Sequence, residues 1–85
     1  MSQMSHEEIK DKVFSIVSDI LGTPKEKLTS TTSLVNDLGA DSLAISDIMT
    51  KCEETFKLQI LDEDMEGVKN IGGAIDFIYN HQTKK

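Results

Sequence analysis

The spacing of the aliphatic residues constrains this chain most. Ile9, Val13, Ile16, Val17 and Ile20 fall at i, i+4, i+7, i+8 and i+11. At about 100° per residue that is a single stripe along a helix. Ile45, Ile48, Met49, Cys52 and Phe56 repeat at i, i+3, i+4, i+7 and i+11, and Ile71, Ala74, Ile75 and Ile78 form a third stripe. Amphipathic helices bury such stripes against one another. With 85 residues there is material for one small domain. The expected fold is therefore all-α, a small helical bundle of three main helices plus one short helix. It spans residues 1–85 as a single domain, with flexible ends at about 1–4 and 82–85.

Local signals place the elements. Ser5-His6-Glu7-Glu8 reads as a capping box, and Gly22 and Pro24 end the first helix near Leu21. Residues 23–41 lack a sustained period and are rich in Thr, Ser, Asn, Asp and Gly. They predict a long first loop, pinned to the core by Leu28, Leu34, Val35 and Leu38. A second helix starts at Asp41-Ser42, both good N-cap types. Leu43, Ser46, Asp47, Thr50 and Glu54 lie on the face opposite its apolar stripe. Lys57 to Leu61 reads as an extended connector, Asp62 as the cap of a short turn over Glu63 to Glu66, and Gly67 as its break. Asn70 caps the last helix, whose first turn Gly72 and Gly73 weaken by about 1 kcal/mol each relative to Ala.

Charge narrows the function. The chain carries a net −6 and contains no Arg; between Asn36 and Glu66 nine acids face two Lys, a net of −7. Nucleic acid is excluded as a partner, because its phosphates call for basic clusters, and an acidic membrane would repel this surface. Basic patches on other proteins are the natural complement. No apolar run approaches the roughly 18 residues of a membrane span. The N-terminus lacks a secretory pattern, so a cytoplasmic monomer without membrane insertion is expected. The lone Cys52 excludes an internal disulfide and reads as a buried small hydrophobe. Asp62, Asp64, Glu66 and Gly67 fit positions 1, 3, 5 and 6 of a calcium loop, but Gly73 stands where a bidentate Glu is required. No metal site is expected. His6 and His81 read as surface residues. Nothing pairs a nucleophile with a base, so no enzyme is expected.

The remaining feature is the string Asp37-Leu38-Gly39-Ala40-Asp41-Ser42-Leu43. It sets a Ser hydroxyl where a loop enters a helix, beside unpaired amides and a partial positive charge that favour phosphate. Gly39 permits a tight turn just before it. The plain alternative is an ordinary N-cap serine.

This string closely resembles the attachment motif of acyl carrier proteins. The resemblance covers about the whole chain: the first-helix stripe, DLGADSL, CEETFKLQI, LDEDMEGV and IGGAIDFIYNHQ sit in family order at family spacing. It implies an acyl-carrier-like bundle in which Ser42 receives 4′-phosphopantetheine from coenzyme A by phosphodiester formation, flanked by the motif residues Asp41 and Leu43. It implies a phosphopantetheinyl transferase and acyl-loading and acyl-processing enzymes with basic docking patches as partners. The arm holds acyl groups as thioesters and shuttles them between enzymes of fatty acid or related lipid biosynthesis, and the helices part to shelter the chain. Asp47, Glu53 and Glu54 match acidic positions that face partner enzymes. The usual pattern has an acid at Ala44, a small aliphatic at Ser46, Met at Thr50, a small neutral residue at Lys51 and often Pro at Leu61. Apart from Leu61 these departures are read as facing outward on the second helix, which predicts a specialised carrier. The alternatives are a carrier of aminoacyl or polyketide units in a secondary pathway, or an acidic helical adaptor with no prosthetic group.

Overall fold

Helix α1 (His6–Leu21) begins where the capping box predicts. Ser5 Oγ accepts from the Glu8 amide at 3.3 Å, and Glu8 Oε1 accepts from the Ser5 amide at 3.1 Å. The helix ends on Gly22, left-handed at φ 70°, whose amide donates to Ser18 O at 2.8 Å. The computed structural model describes residues 4–82. After α1 come α2 (Ser42–Phe56), the short α3 (Asp62–Glu66) and α4 (Ile71–His81), with a 3-10 turn at Lys25–Lys27 inside the long first loop. Among the described residues no helix is long and apolar enough to cross a membrane.

Helix α1 packs against both α2 and α4. The stripes predicted from spacing meet in one core, in which Ile9, Val13, Val17, Leu34, Ile71 and Ile78 are the most deeply buried. Ile48, Cys52 and Phe56 face inward from α2, while Ile45 and Met49 are half-buried toward α3.

The loop is pinned, but not by all four residues expected. Leu28 and Leu34 are buried and Leu38 packs on the core, whereas Val35 is 56% exposed. The cause is local winding. Asp37 N donates to Ser33 O at 3.1 Å, Gly39 N to Val35 O at 3.0 Å and Ala40 N to Leu34 O at 2.9 Å. In a turn of helical sense Leu34 and Leu38 share a side, and Val35 points elsewhere. The short helix also differs in detail. Asp62 is its first helical residue, not its cap; Asp64 Oδ2 accepts the Leu61 amide at 3.0 Å.

The loop is strapped to the start of α4. Ser33 and Asn70 form an isolated antiparallel bridge, Ile71 N donates to Thr32 O at 3.0 Å, and Gly72 N donates to Ser30 O at 2.7 Å. Loop carbonyls thus satisfy amides of a helix start that would otherwise lack partners. Asn70 completes the cap, its Oδ1 accepting from Gly73 N at 2.8 Å. At the other end Met4 and Gln82 are joined, Met4 N donating to Gln82 Oε1 at 2.9 Å and Gln82 Nε2 to Met4 O at 3.0 Å. The rest of the ends expected to be flexible, residues 1–3 and 83–85, lies outside the described residues.

The acids of the acid-rich middle form no ion pair among the described residues. The ion pair among the described residues is Lys25–Asp11 at 2.6 Å, beside a hydrogen-bond contact of His6 Nε2 with Asp76 Oδ1 at 3.1 Å, and neither involves residues 36–66. Like charges therefore repel across the surface at low ionic strength, because confining their reach to about 10 Å takes roughly 0.1 M salt. Salt raised from about 0.01 M to 0.2 M, or millimolar divalent cation, should lift the melting temperature by several degrees. A calorimetric trace that ignores both would show the charges to be too dispersed to matter.

Candidate functional site

The wound turn of residues 33–40 delivers the chain to α2 through Gly39, left-handed at φ 68°. A side chain there would meet open space, so Gly is needed for its backbone conformation and not for room. Ala40, buried, anchors the turn. Asp41 then caps α2: its backbone is extended, and its Oδ1 accepts from Ala44 N at 2.9 Å. The capping duty thus falls on Asp41 and leaves Ser42 out of it. Ser42 is exposed, and its hydroxyl makes no hydrogen bond with any described residue. The carbonyl of Asp41 takes the Ile45 amide at 3.0 Å, and the amides of Ser42 and Leu43 have no partner among the described residues. They leave a partial positive charge beside the hydroxyl.

A depression of about 560 Å³ opens beside Ser42. Its lining includes Val35, Ala40, Asp41, Ile45 and Met49 together with Asp62, Met65 and Glu66. Met49 and Met65 also line a small apolar cavity of about 10 Å³, walled by Ile48, Cys52, Phe77 and Ile78 among others. Two flexible thioether side chains therefore separate the depression from an apolar interior, and such side chains repack cheaply. The arrangement fits a phosphopantetheine arm. A free hydroxyl meets open amides where a phosphodiester would sit, and the depression offers both polar and apolar walls to the remainder of the arm.

The outward face of α2 is as the spacing predicts for Leu43, Ser46, Asp47, Thr50 and Glu54, all exposed. Glu53 departs from its expected partner-facing place. It is half-buried, its Oε2 accepts the Ile60 amide at 2.8 Å, and its carbonyl takes the amides of Lys57 and Leu58. It lies one turn from Met49 and Lys57, at the edge of the buried stripe, and holds the connector that leads to α3. Ala44 is half-buried against the core, so of the substitutions assigned to the outer side only Ser46, Thr50 and Lys51 are fully outward. No sequence pattern announces the Glu53 bond, which depends on where the connector folds back.

Both histidines are exposed, as expected, yet both make contacts. The His6 ring stacks on Tyr79 with centroids 4.1 Å apart, and its Nε2 lies 3.1 Å from Asp76 Oδ1. His81 stacks on Phe77 at 4.0 Å. Cys52 is 2% exposed, and burial, aided by the charge of Glu53, pushes its thiol up to about 12. It therefore stays protonated at any ordinary pH and lacks the reactive thiolate form. Thiol reagents at pH 8 should leave Cys52 untouched in the folded protein and modify it in denaturant. Fast reaction of the folded, unmodified chain would contradict this burial.

Comparison with known proteins agrees with this geometry. The family described as the phosphopantetheine attachment site matches residues 11–78. An acyl carrier protein of Clostridium perfringens is 36% identical over 74 residues, which is 87% of this chain and 97% of the relative. The solved acyl carrier protein of Enterococcus faecalis superposes with a TM-score of 0.79 at 30% identity, covering 93% of this chain and 100% of that one. A solution structure described as an acyl carrier protein of Anaplasma phagocytophilum superposes with a TM-score of 0.84 at 31% identity, with both chains covered completely. The chain therefore belongs to the acyl carrier protein family: it is a carrier and not an enzyme, its cofactor is 4′-phosphopantetheine, and its partners are a phosphopantetheinyl transferase and acyl-processing enzymes.

Proposed function

We propose that Ser42 carries the phosphopantetheine arm and that the chain, a cytoplasmic monomer of one domain, shuttles acyl groups between enzymes of fatty acid or related lipid biosynthesis. The observation that carries this reading is the free hydroxyl of Ser42 at the head of α2, released from capping by the Asp41–Ala44 bond. When bound, the arm supplies a terminal thiol that holds the acyl group as a thioester. The chain's own residues do the rest. Asp41 fixes the helix start and so the direction of the Ser42 Cα–Cβ bond. The open amides of Ser42 and Leu43 favour the negative charge of a phosphodiester. Met49 and Met65 stand between the depression and the interior, whose lining of Ile, Met, Cys, Val, Ala and Phe side chains offers a hydrogen-bonding cargo little. That favours an aliphatic acyl group over an aminoacyl or polyketide one.

The outer face of α2 supports a specialised role. A partner that docks beside Ser42 meets Leu43, then the hydroxyls of Ser46 and Thr50 and the cation of Lys51, all exposed. A hydroxyl in place of an aliphatic side chain weakens docking by about 1 kcal/mol at each position, and Lys51 slows encounter with a basic enzyme. Basic patches on the partners remain the complement of Asp47 and Glu54. Elongation by a generic ketosynthase on the acyl-loaded chain should be weak, and the combined Ser46→Val, Thr50→Met and Lys51→Ala variant should improve it about tenfold or more. Turnover of the parent equal to that of a bulk fatty-acid carrier would remove the specialised role and leave the carrier role standing.

A further inference from the structure

Among the described residues, four large apolar side chains are exposed: Val35 at 56%, Leu43 at 70%, Leu61 at 45% and Tyr79 at 39%. Tyr79 is covered on one face by the His6 ring. The other three lie at or next to the depression that holds Ser42. Leu43 comes directly after Ser42 in α2, Val35 lines the depression, and Leu61 immediately precedes Asp62, which also lines it. Val35 and Leu61 sit on fixed backbone. The carbonyl of Val35 is held by the Gly39 amide at 3.0 Å, and the amide of Leu61 by the Asp64 carboxylate at 3.0 Å. Side chains presented on an ordered backbone lose little entropy when a partner covers them.

The charges lining the depression beside Ser42 are of one sign, although Lys69 stands on the other side of Val35. Asp41, Asp62 and Glu66 line the depression, and none of its lining residues is basic. Past Leu43, meanwhile, the outer face of α2 is polar at Ser46 and Thr50. Apolar contact that α2 does not offer beyond Leu43 is thus available at Val35 and Leu61. Apolar anchors inside a charged rim are the usual anatomy of a protein docking site. Anionic membranes and nucleic acids are repelled by this rim.

We propose that the apolar part of the docking surface lies in Val35 and Leu61, outside α2, and that its occupant is a partner enzyme presenting apolar side chains within a basic rim. The proposal rests on the carrier reading of Ser42.

The test uses the full unmodified chain, coenzyme A and a broad-specificity phosphopantetheinyl transferase as the probe enzyme. Steady-state modification is measured for the parent, Val35→Ser, Leu61→Ser, Leu43→Ser and, as a remote control, Tyr79→Ser, with melting temperatures to confirm folding. Val35→Ser and Leu61→Ser should each raise KM by about three- to tenfold, the effect of one small buried apolar contact, with kcat unchanged. Tyr79→Ser should leave KM where it was. If Val35→Ser and Leu61→Ser match the parent while Leu43→Ser alone raises KM, the apolar contact resides on α2 and the proposal is overturned with the carrier reading intact. If the parent itself is not modified, the carrier reading fails and the proposal falls with it.

Discussion

Gly72→Ala should lower the stability of the folded chain by about 1–3 kcal/mol, although alanine is the better helix former. A Cβ at this position would lie 2.8 Å from the carbonyl oxygen of Ser30 and 3.2 Å from its Cβ. The obstacle is backbone, and that backbone is tied to Gly72 itself through the 2.7 Å bond from its amide to Ser30 O. Relief of the clash therefore lengthens the bond and pulls the loop from α4. Gly73 is the control. A Cβ there would meet Asn70 Oδ1 at 3.4 Å and Val68 at 3.8 Å, close to ordinary contact. Gly73→Ala should be neutral or stabilise by up to about 1 kcal/mol, through helix propensity and a less flexible unfolded chain. Urea titrations of both variants decide the matter. A Gly72→Ala protein at least as stable as Gly73→Ala would show that the strap yields freely.

That pair of glycines also shows where reading the sequence stops. Adjacent glycines in a helix start are visible as a local weakness, and the sequence assigns them a cost. That Gly72 is required by a close approach of Ser30 depends on a contact between residues far apart in the chain, which no local rule contains. The helices are legible because each carries several aligned signals: Ser5 and Glu8 before the first stripe, Asp41 before the second, Asn70 before the third. Val35 is misplaced by sequence because the apolar residues of an aperiodic loop, here the adjacent Leu34 and Val35, have no phase to tell inward from outward. Its direction is set by the winding of Ser33 to Ala40, which is read from hydrogen bonds. Glu53 is misplaced for a related reason. Its position on α2 borders the buried stripe, and only the returning connector, with the Ile60 amide 2.8 Å away, turns its carboxylate to structural use. The functional string is legible through its resemblance to the attachment motif of acyl carrier proteins; its local chemistry alone, a Ser beside an Asp at a helix start, reads equally as an ordinary cap. What the structure adds is the division of labour between the two, with Asp41 capping and Ser42 free.

That division makes the proposed attachment site separable from the fold. Ser42 is exposed and its hydroxyl is bonded to no described residue, so Ser42→Ala should change stability by no more than about 0.5 kcal/mol. Asp41→Ala, by contrast, should cost about 1 kcal/mol through removal of the cap. The helix start therefore survives in the Ser42→Ala variant, and only the hydroxyl proposed to carry the arm is gone. Intact-mass measurement after incubation with coenzyme A and a broad-specificity phosphopantetheinyl transferase reads the difference directly. The parent should gain the mass of a single phosphopantetheine and Ser42→Ala should gain none while remaining folded; a modified Ala variant, or a parent that gains nothing, would contradict the assignment of Ser42 as the residue that carries the arm.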